Sequence, residues 1–210
     1  MENLEKLSQY LIDGKSDMVA LLVKQALSEA IGPEAILNHG LIAGMDIVGK
    51  KFKNGEYFIP NVLMAAKAMN GAIQILEPYL LEAGIKPKGK LLIGTVQGDL
   101  HDIGKTLVII MFKGAGFQIV DLGTNVKGVD FVEAAKKESP DIIGMSALLT
   151  TTMMAMGENI ELLKKAGIKS TVIIGGAPTS QNYADSIQAD FWAATASDGV
   201  EIASKNILIQ

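Results

Sequence analysis

The sequence predicts two units in tandem, an all-α bundle of four helices followed by an α/β unit built on a doubly wound parallel sheet of five strands. Three observations predict it. From Glu2 to about Glu82 apolar residues recur only at helical spacing. Gly84-Ile-Lys-Pro87-Lys-Gly89-Lys90 then interrupts the pattern with glycines, a proline and three lysines. Beyond it, five short apolar runs alternate with helical segments, which is the pattern of a parallel sheet covered on both faces. The expected division is 1–86 for the helical unit, 87–90 for the linker and 91–210 for the α/β unit. With 49% hydrophobic residues over 210, one large or two small cores can be filled.

The elements follow in order. Leu4 to Ile12 makes a short first helix. Asp17-Met-Val-Ala-Leu-Leu-Val-Lys-Gln-Ala-Leu27 makes a second, stopped by Gly32-Pro33. Pro33 suits a first-turn position, so it opens the third helix, with Ile36, Leu37, Gly40, Leu41, Met45 and Val48 on its apolar face. Lys53-Asn54-Gly55-Glu56 is a turn, and Pro60 opens a fourth helix towards Leu81. The strands expected are Lys90–Val96, Phe117–Asp121, Asp141–Ser146, Thr171–Gly175 and a weak Phe191–Ala193. Helices begin near Ile103, Gly128, Thr151 and Ser180, with a last one from about Asp198 to Leu208. Five strands in this arrangement favour the flavodoxin-like, Rossmann-like order 2-1-3-4-5. That order sets the loop after strand one beside the loop after strand three.

Composition removes several function classes. There is no cysteine, so disulfides, thiolate metal sites and thiol nucleophiles are excluded. All 19 basic residues are lysines, and the net charge is -4. Without arginine the bidentate fork for phosphate and guanine is missing, which argues against a nucleic-acid partner. No apolar run reaches the roughly 20 residues of a membrane span. Met1-Glu-Asn-Leu-Glu-Lys6 lacks the basic start of a signal peptide, so the reading is cytoplasmic, with no membrane partner. His39 and His101 are the two imidazoles, which rules out a multi-histidine metal site within one chain. His39 is read as a surface helix residue.

Chemistry concentrates in Gly94-Thr-Val-Gln-Gly98-Asp99-Leu-His101-Asp102-Ile-Gly104-Lys105, where a strand end passes into a helix start. Its glycine spacing matches neither dinucleotide nor P-loop patterns, and two aspartates would repel a diphosphate. A phospho-acceptor site would need an acidic cluster, and the other loops offer hydroxyls and glycines. The plain alternative makes His101 a loop residue and Asp102 a helix N-cap. Against it, Asp99 stands two residues from His101, within reach of Nδ1, an arrangement that presents Nε2 as a better metal ligand. Ser146 is expected next door and within reach of Asp99. Gly175-Gly176 and Ala194-Thr-Ala196-Ser197 carry small side chains, as if to admit something bulky.

Gly98-Asp99-Leu-His101-Asp102-Ile-Gly104 resembles the D-x-H-x-x-G signature of cobalamin-binding domains, in the version found in methionine synthase and in corrinoid methyl-carrier proteins. Ser146-x-Leu148 with Thr150, Gly175-Gly176, and Gly44-Met45-Asp-Ile-Val-Gly-Lys-Lys-Phe52 with Gly55-Glu-Tyr-Phe58-Ile-Pro60 extend the resemblance over the whole chain. It implies a cobalamin bound base-off, with His101 as the lower axial ligand of cobalt. Asp99 would hold the other nitrogen and Ser146 would extend the relay, which makes these three the catalytic set. Gly98, Asp102 and Gly104 would meet the corrin. Ser146, Leu148, Thr150, Gly175, Gly176 and Ala196 would line the cleft for the nucleotide tail. The helical unit would cap the upper face through Phe58, Met64 and Met45, although each could equally be bundle core.

The resemblance further implies a carrier rather than an enzyme acting alone. Co(I) would accept a methyl group from a substrate through one substrate-specific methyltransferase. A second methyltransferase would pass it to an acceptor such as tetrahydrofolate or coenzyme M, and a reductive activase would maintain the cobalt. Methoxylated aromatics, hence an O-demethylase system, are slightly favoured as donors over methylamines and methanol. The alternatives are the cobalamin-binding subunit of a carbon-skeleton mutase, which usually lacks this helical cap, and a cobalamin-dependent sensor, which would need an output domain.

Overall fold

The computed structural model of the protein describes residues 2–207. It divides into two compact units, residues 2–87 with the short segment Gly114–Gly116, and Lys88–Lys113 with residues 117–207.

The helical unit contains α1 (Glu2–Ile12), α2 (Ser16–Ser28), α3 (Pro33–Ala35), a π-helical stretch (Ile36–Ile42), α4 (Ala43–Lys53) and α5 (Ile59–Glu82). Residues 33–53 run without interruption, so the expected four rods are present among the described residues. The third rod is not α-helical throughout, and the reason is packing. A Cβ on Gly40 would stand 2.5 Å from Leu7 Cδ2, and one on Gly44 would stand 3.0 Å from Leu11 Cδ2. Glycines therefore occupy the line along which α1 approaches, in and just after the wider π turns. His39 lies on this stretch and is exposed, a surface helix residue as the sequence predicts. The fourth rod begins at Ile59, where the Phe58 N–H donates to Asn61 Oδ1 at 3.0 Å and Pro60 sits in the first turn.

The α/β unit runs β1 (Lys90–Thr95), α6 (Ile103–Gly114), β2 (Gln118–Asp121), α7 (Gly128–Glu138), β3 (Ile142–Ser146), α8 (Thr150–Met153), α9 (Ala155–Lys165), β4 (Thr171–Gly175), α10 (Gln181–Ser186), β5 (Phe191–Ala193) and α11 (Ala196–Ile207). Leu208, the expected end of the last helix, lies outside the described residues. All pairings are parallel and the order is β2-β1-β3-β4-β5, as the sequence predicts. The helix expected from Thr151 is split at Met154 into α8 and α9. Most of β1 and β3 is buried, the mark of strands covered on both faces.

Register places the site. Thr95 pairs with Ser146, Ser146 with Gly175, and Gly175 with Ala193. Four strand ends therefore share one row, and the loops leaving them stand side by side at the carboxyl edge, where open α/β sheets bind ligands. Beneath them Leu92, Ile143, Ile174, Phe131 and Met156 form the core. Phe131 comes from α7 and lies under β1, where a Cβ on Gly94 would meet its Cζ at 2.9 Å. Phe131→Ala should cost about 3–5 kcal/mol, read by urea unfolding of the full chain through the single tryptophan, Trp192. A loss below about 1 kcal/mol would show that this ring is not a core anchor.

Candidate functional site

After β1 the chain closes a tight turn, with the Asp99 N–H donating to the Val96 carbonyl at 3.1 Å and Gly98 at a φ of 83°. The turn carries the Asp99 side chain inward, fully buried. A buried carboxylate is costly unless donors surround it. Here Oδ1 accepts from the His101 N–H at 3.0 Å and lies 2.7 Å from His101 Nδ1. Oδ2 accepts from the Leu148 N–H at 2.7 Å and from the Thr152 hydroxyl at 2.7 Å. Burial pushes the Asp99 carboxyl up, but hydrogen bonds from Leu148, His101 and Thr152 outweigh it and hold the group well below the usual carboxylate range.

With Asp99 ionised, the proton of the pair belongs on Nδ1, and Nε2 keeps its lone pair. The His101 side chain is half exposed, and Nε2 has no hydrogen-bond partner among the described residues. The backbone of His101 is fixed as well, since the hydroxyl of buried Thr95 donates to its carbonyl at 3.0 Å. His101 is thus anchored at backbone and ring, with Nε2 as the nitrogen left for a ligand.

The third member of the expected relay needs correction. The hydroxyl on Asp99 comes from Thr152, not from Ser146. Ser146 is the last residue of β3, paired with Thr95 and Gly175, and its carbonyl accepts from the Val96 N–H at 3.0 Å. The chain must leave the strand and enter α8 before a hydroxyl reaches the carboxylate. Thr152 and Thr95 are both site residues that sequence reading missed. The run Thr150-Thr-Thr152 was the available signal, and only the turn at Leu149 selects its third member.

The other expected residues fall into two sets. Gly98, Asp102 and Leu148 lie on the two loops that meet at Asp99, and Gly104 and Thr150 in the first turns of the helices that follow them, α6 and α8, all exposed. Gly175 ends β4 beside Ala193, and Gly176 has a φ of 126°, with its Cα so close to Ala147 that a Cβ would overlap the Ala147 carbonyl oxygen at 1.9 Å. Only glycine fits there. Ala196 opens α11 and is buried, next to Thr195, whose hydroxyl donates to Asp198 at 2.8 Å. In the helical unit Phe58 and Met64 are exposed, by 68% and 53%. Met45 is buried, on the helical face of Leu41 and Val48.

This donor set fits a corrinoid. Among the described residues no cluster of three metal-ligating side chains exists, so a metal here must bring most of its own ligands. One open imidazole nitrogen is what such a metal lacks. Leu100, Leu148 and Leu149 stand exposed on the same loops and Ile103 at the start of α6, an apolar surface for a large macrocycle.

Comparison with known proteins agrees with this geometry. The family described as the B12 binding domain matches residues 89–202, and a second family of the same description matches residues 3–77. A corrinoid protein of Desulfitobacterium hafniense (strain Y51) is 46% identical over 98% of this chain and 97% of its own length. Dimethylamine corrinoid protein 3 of Methanosarcina acetivorans is 42% identical over 98% and 97%. A chain in the crystal structure of the methanol:cobalamin methyltransferase complex of Methanosarcina barkeri superposes with a TM-score of 0.89. It has 30% identity over 100% of this chain and 81% of that one.

The hydroxyl assignment can be tested by stability. Thr152→Ala should cost about 1–3 kcal/mol by removing a donor from a buried charge, whereas Ser146→Ala should leave Asp99 undisturbed. Because the folded pKa of Asp99 is depressed, its stabilisation is present above the unfolded value near 3.9 and is lost as pH falls through the lower folded value. The Thr152→Ala deficit in urea unfolding should therefore be full at neutral pH and shrink only in strong acid. A deficit that persists unchanged through that acid range would separate Thr152 from the Asp99 charge.

Proposed function

We propose, from the premise that this chain belongs to the B12-binding corrinoid proteins, that it is a methyl carrier whose cobalamin is held through His101. The observation that supports this residue is the 2.7 Å contact of His101 Nδ1 with a buried, ionised Asp99, which leaves Nε2 open. Bound cobalamin supplies a cobalt on which a methyl group is received and given up. His101 Nε2 would hold that cobalt. Asp99 keeps the proton on Nδ1, and meets the charge of the imidazolium whenever Nε2 is itself protonated. Leu148 and Thr152 hold Asp99, and Thr95 holds the His101 backbone.

Gly98, Asp102 and Gly104 would meet the corrin. Ser146, Leu148, Thr150, Gly175, Gly176 and Ala196 would line the cleft for the nucleotide tail, where the bare backbone at Gly176 lets two loops approach closely. Phe58 and Met64 remain candidates for the upper face. The mutase-subunit and sensor readings are not favoured, since the corrinoid relatives match along almost their whole length, helical part included.

A methyltransferase is the partner, and we extend this to a pair, one loading and one unloading the carrier, with a reductive activase. Relatives named for dimethylamine and a structure named for methanol support small methylated donors, and a methoxylated aromatic fits the same carrier. Among the described residues no helix is long and apolar enough to cross a membrane. Residues 87–90 are proposed as the joint between the units.

Titrating the apoprotein with hydroxocobalamin should give the spectrum of a base-off, imidazole-ligated cobalamin. His101→Ala should abolish that spectrum, and Asp99→Asn should weaken binding roughly 10–100-fold. An unchanged spectrum for His101→Ala would remove the axial assignment. Limited proteolysis should cut first near Lys86–Lys90, and initial cleavage inside either unit would count against the joint.

A further inference from the structure

We propose that Asn125, on the connection between β2 and α7, is a positioning residue for the Asp99–His101 pair; the proposal rests on the cobalamin reading above. After β2 this connection runs along the end of β1. The Leu122 N–H donates to the Ile93 carbonyl at 2.8 Å, the Thr95 N–H to the Gly123 carbonyl at 3.0 Å, and the Val126 N–H to the Thr95 carbonyl at 2.9 Å. Val96 and Val126 add a parallel bridge. Within this ladder Asn125 has a φ of 56°, the left-handed region that asparagine tolerates better than most residues.

That conformation gives Asn125 two contacts with the loop that carries His101. Its N–H donates to the Asp99 carbonyl at 2.9 Å, and its Oδ1 accepts from the Gly98 N–H at 2.8 Å. Gly98 and Asp99 are therefore gripped at the amide of the first and the carbonyl of the second. The same connection holds the far end of the loop. Lys105, in the first turn of α6, is buried, and its Nζ donates to Asp121 Oδ1 at 2.6 Å. The Gly123 N–H donates to that same oxygen at 2.9 Å. One segment, Asp121 to Asn125, thus pins the His101 loop on both sides of the imidazole.

The consequence falls on Asp99. Its carboxylate orients the ring, and its backbone is placed by Asn125. Gly98 lies at a φ of 83°, and glycine has many other conformations open to it once its N–H loses the Oδ1 acceptor. The side chain of Asn125 selects the one conformation in which Asp99 reaches His101.

Two variants separate the side chain from the backbone. Asn125→Gly keeps the left-handed backbone and the N–H to Asp99 but loses the acceptor, and Asn125→Asp keeps both. We expect Asn125→Gly to bind hydroxocobalamin about 5-fold more weakly, the net worth of one hydrogen bond. In the apoprotein it should speed hydrogen exchange by about the same factor in peptides spanning residues 97–104, with peptides from β4 unchanged. Asn125→Asp should restore both. Wild-type values for Asn125→Gly in the exchange measurement, acceleration spread over the whole α/β unit, or failure of Asn125→Asp to restore them would overturn the proposal. If the wild-type protein binds no cobalamin, the cofactor reading fails instead, and the exchange measurement alone decides the role of Asn125.

Discussion

The site depends on one buried charge. Asp99 is ionised inside the protein, and that is tolerable only because each carboxylate oxygen accepts two donors. Two of the four come from His101, two residues away. The others come from Leu148 and Thr152, 49 and 53 residues along the chain, in the loop after β3 and the first turn beyond it. They can meet Asp99 only if β3 lies beside β1 and in register with it, as the pairing of Thr95 with Ser146 provides. Strand order is thus written into the solvation of a single side chain. Any arrangement that separated β1 from β3 would leave the charge half satisfied.

The same loops carry opposite surfaces. Their inner sides donate to Asp99, and their outer sides expose Leu100, Ile103, Leu148 and Leu149. Leu148 does both at once, through its N–H and its side chain. A ligand seated on those leucines would lie against loops that the carboxylate already fixes, so little conformational freedom would be lost on binding. At the next pair of strand ends the device is different. The approach of Gly176 to Ala147 is closer than any side chain permits, and it narrows the space between the loops after β3 and β4 with backbone alone.

Much of this was legible in the sequence. Periodicity separated the two units, and strand-helix alternation with five strands fixed the order 2-1-3-4-5. The spacing of Asp99 and His101 identified their contact. What was not legible has local causes. Ser146 was favoured for the relay because it ends the neighbouring strand, but a turn at Leu149 brings Thr152 to the carboxylate instead, and a turn of that kind leaves no periodic mark. The π stretch at Ile36–Ile42 was hidden because a change of helix type displaces the apolar stripe too little to be noticed among short segments. Met45, a lid by the family resemblance and a core residue by helical spacing, is buried. Asn125 carries no sequence signal, since its importance lies in a left-handed φ and in two contacts more than 25 residues away.

The contrast within His101 explains why these contacts have to be so numerous. Its N–H, its carbonyl and its Nδ1 are all engaged, whereas its ring remains half exposed with Nε2 open. A flexible histidine would have to be ordered each time it met a metal, and that entropy would oppose the bond. Three contacts place this cost on folding, where the buried core of the α/β unit carries it. They also bias the ring electronically, because an ionised partner at Nδ1 makes Nε2 a stronger donor. A positioned ring with a strengthened lone pair is what a ligand needs if it is to bind an ion that also changes its coordination. Asp99 therefore has to stay ionised in the interior, and the low pKa given by its four donors is a requirement of the site as well as a consequence of its burial.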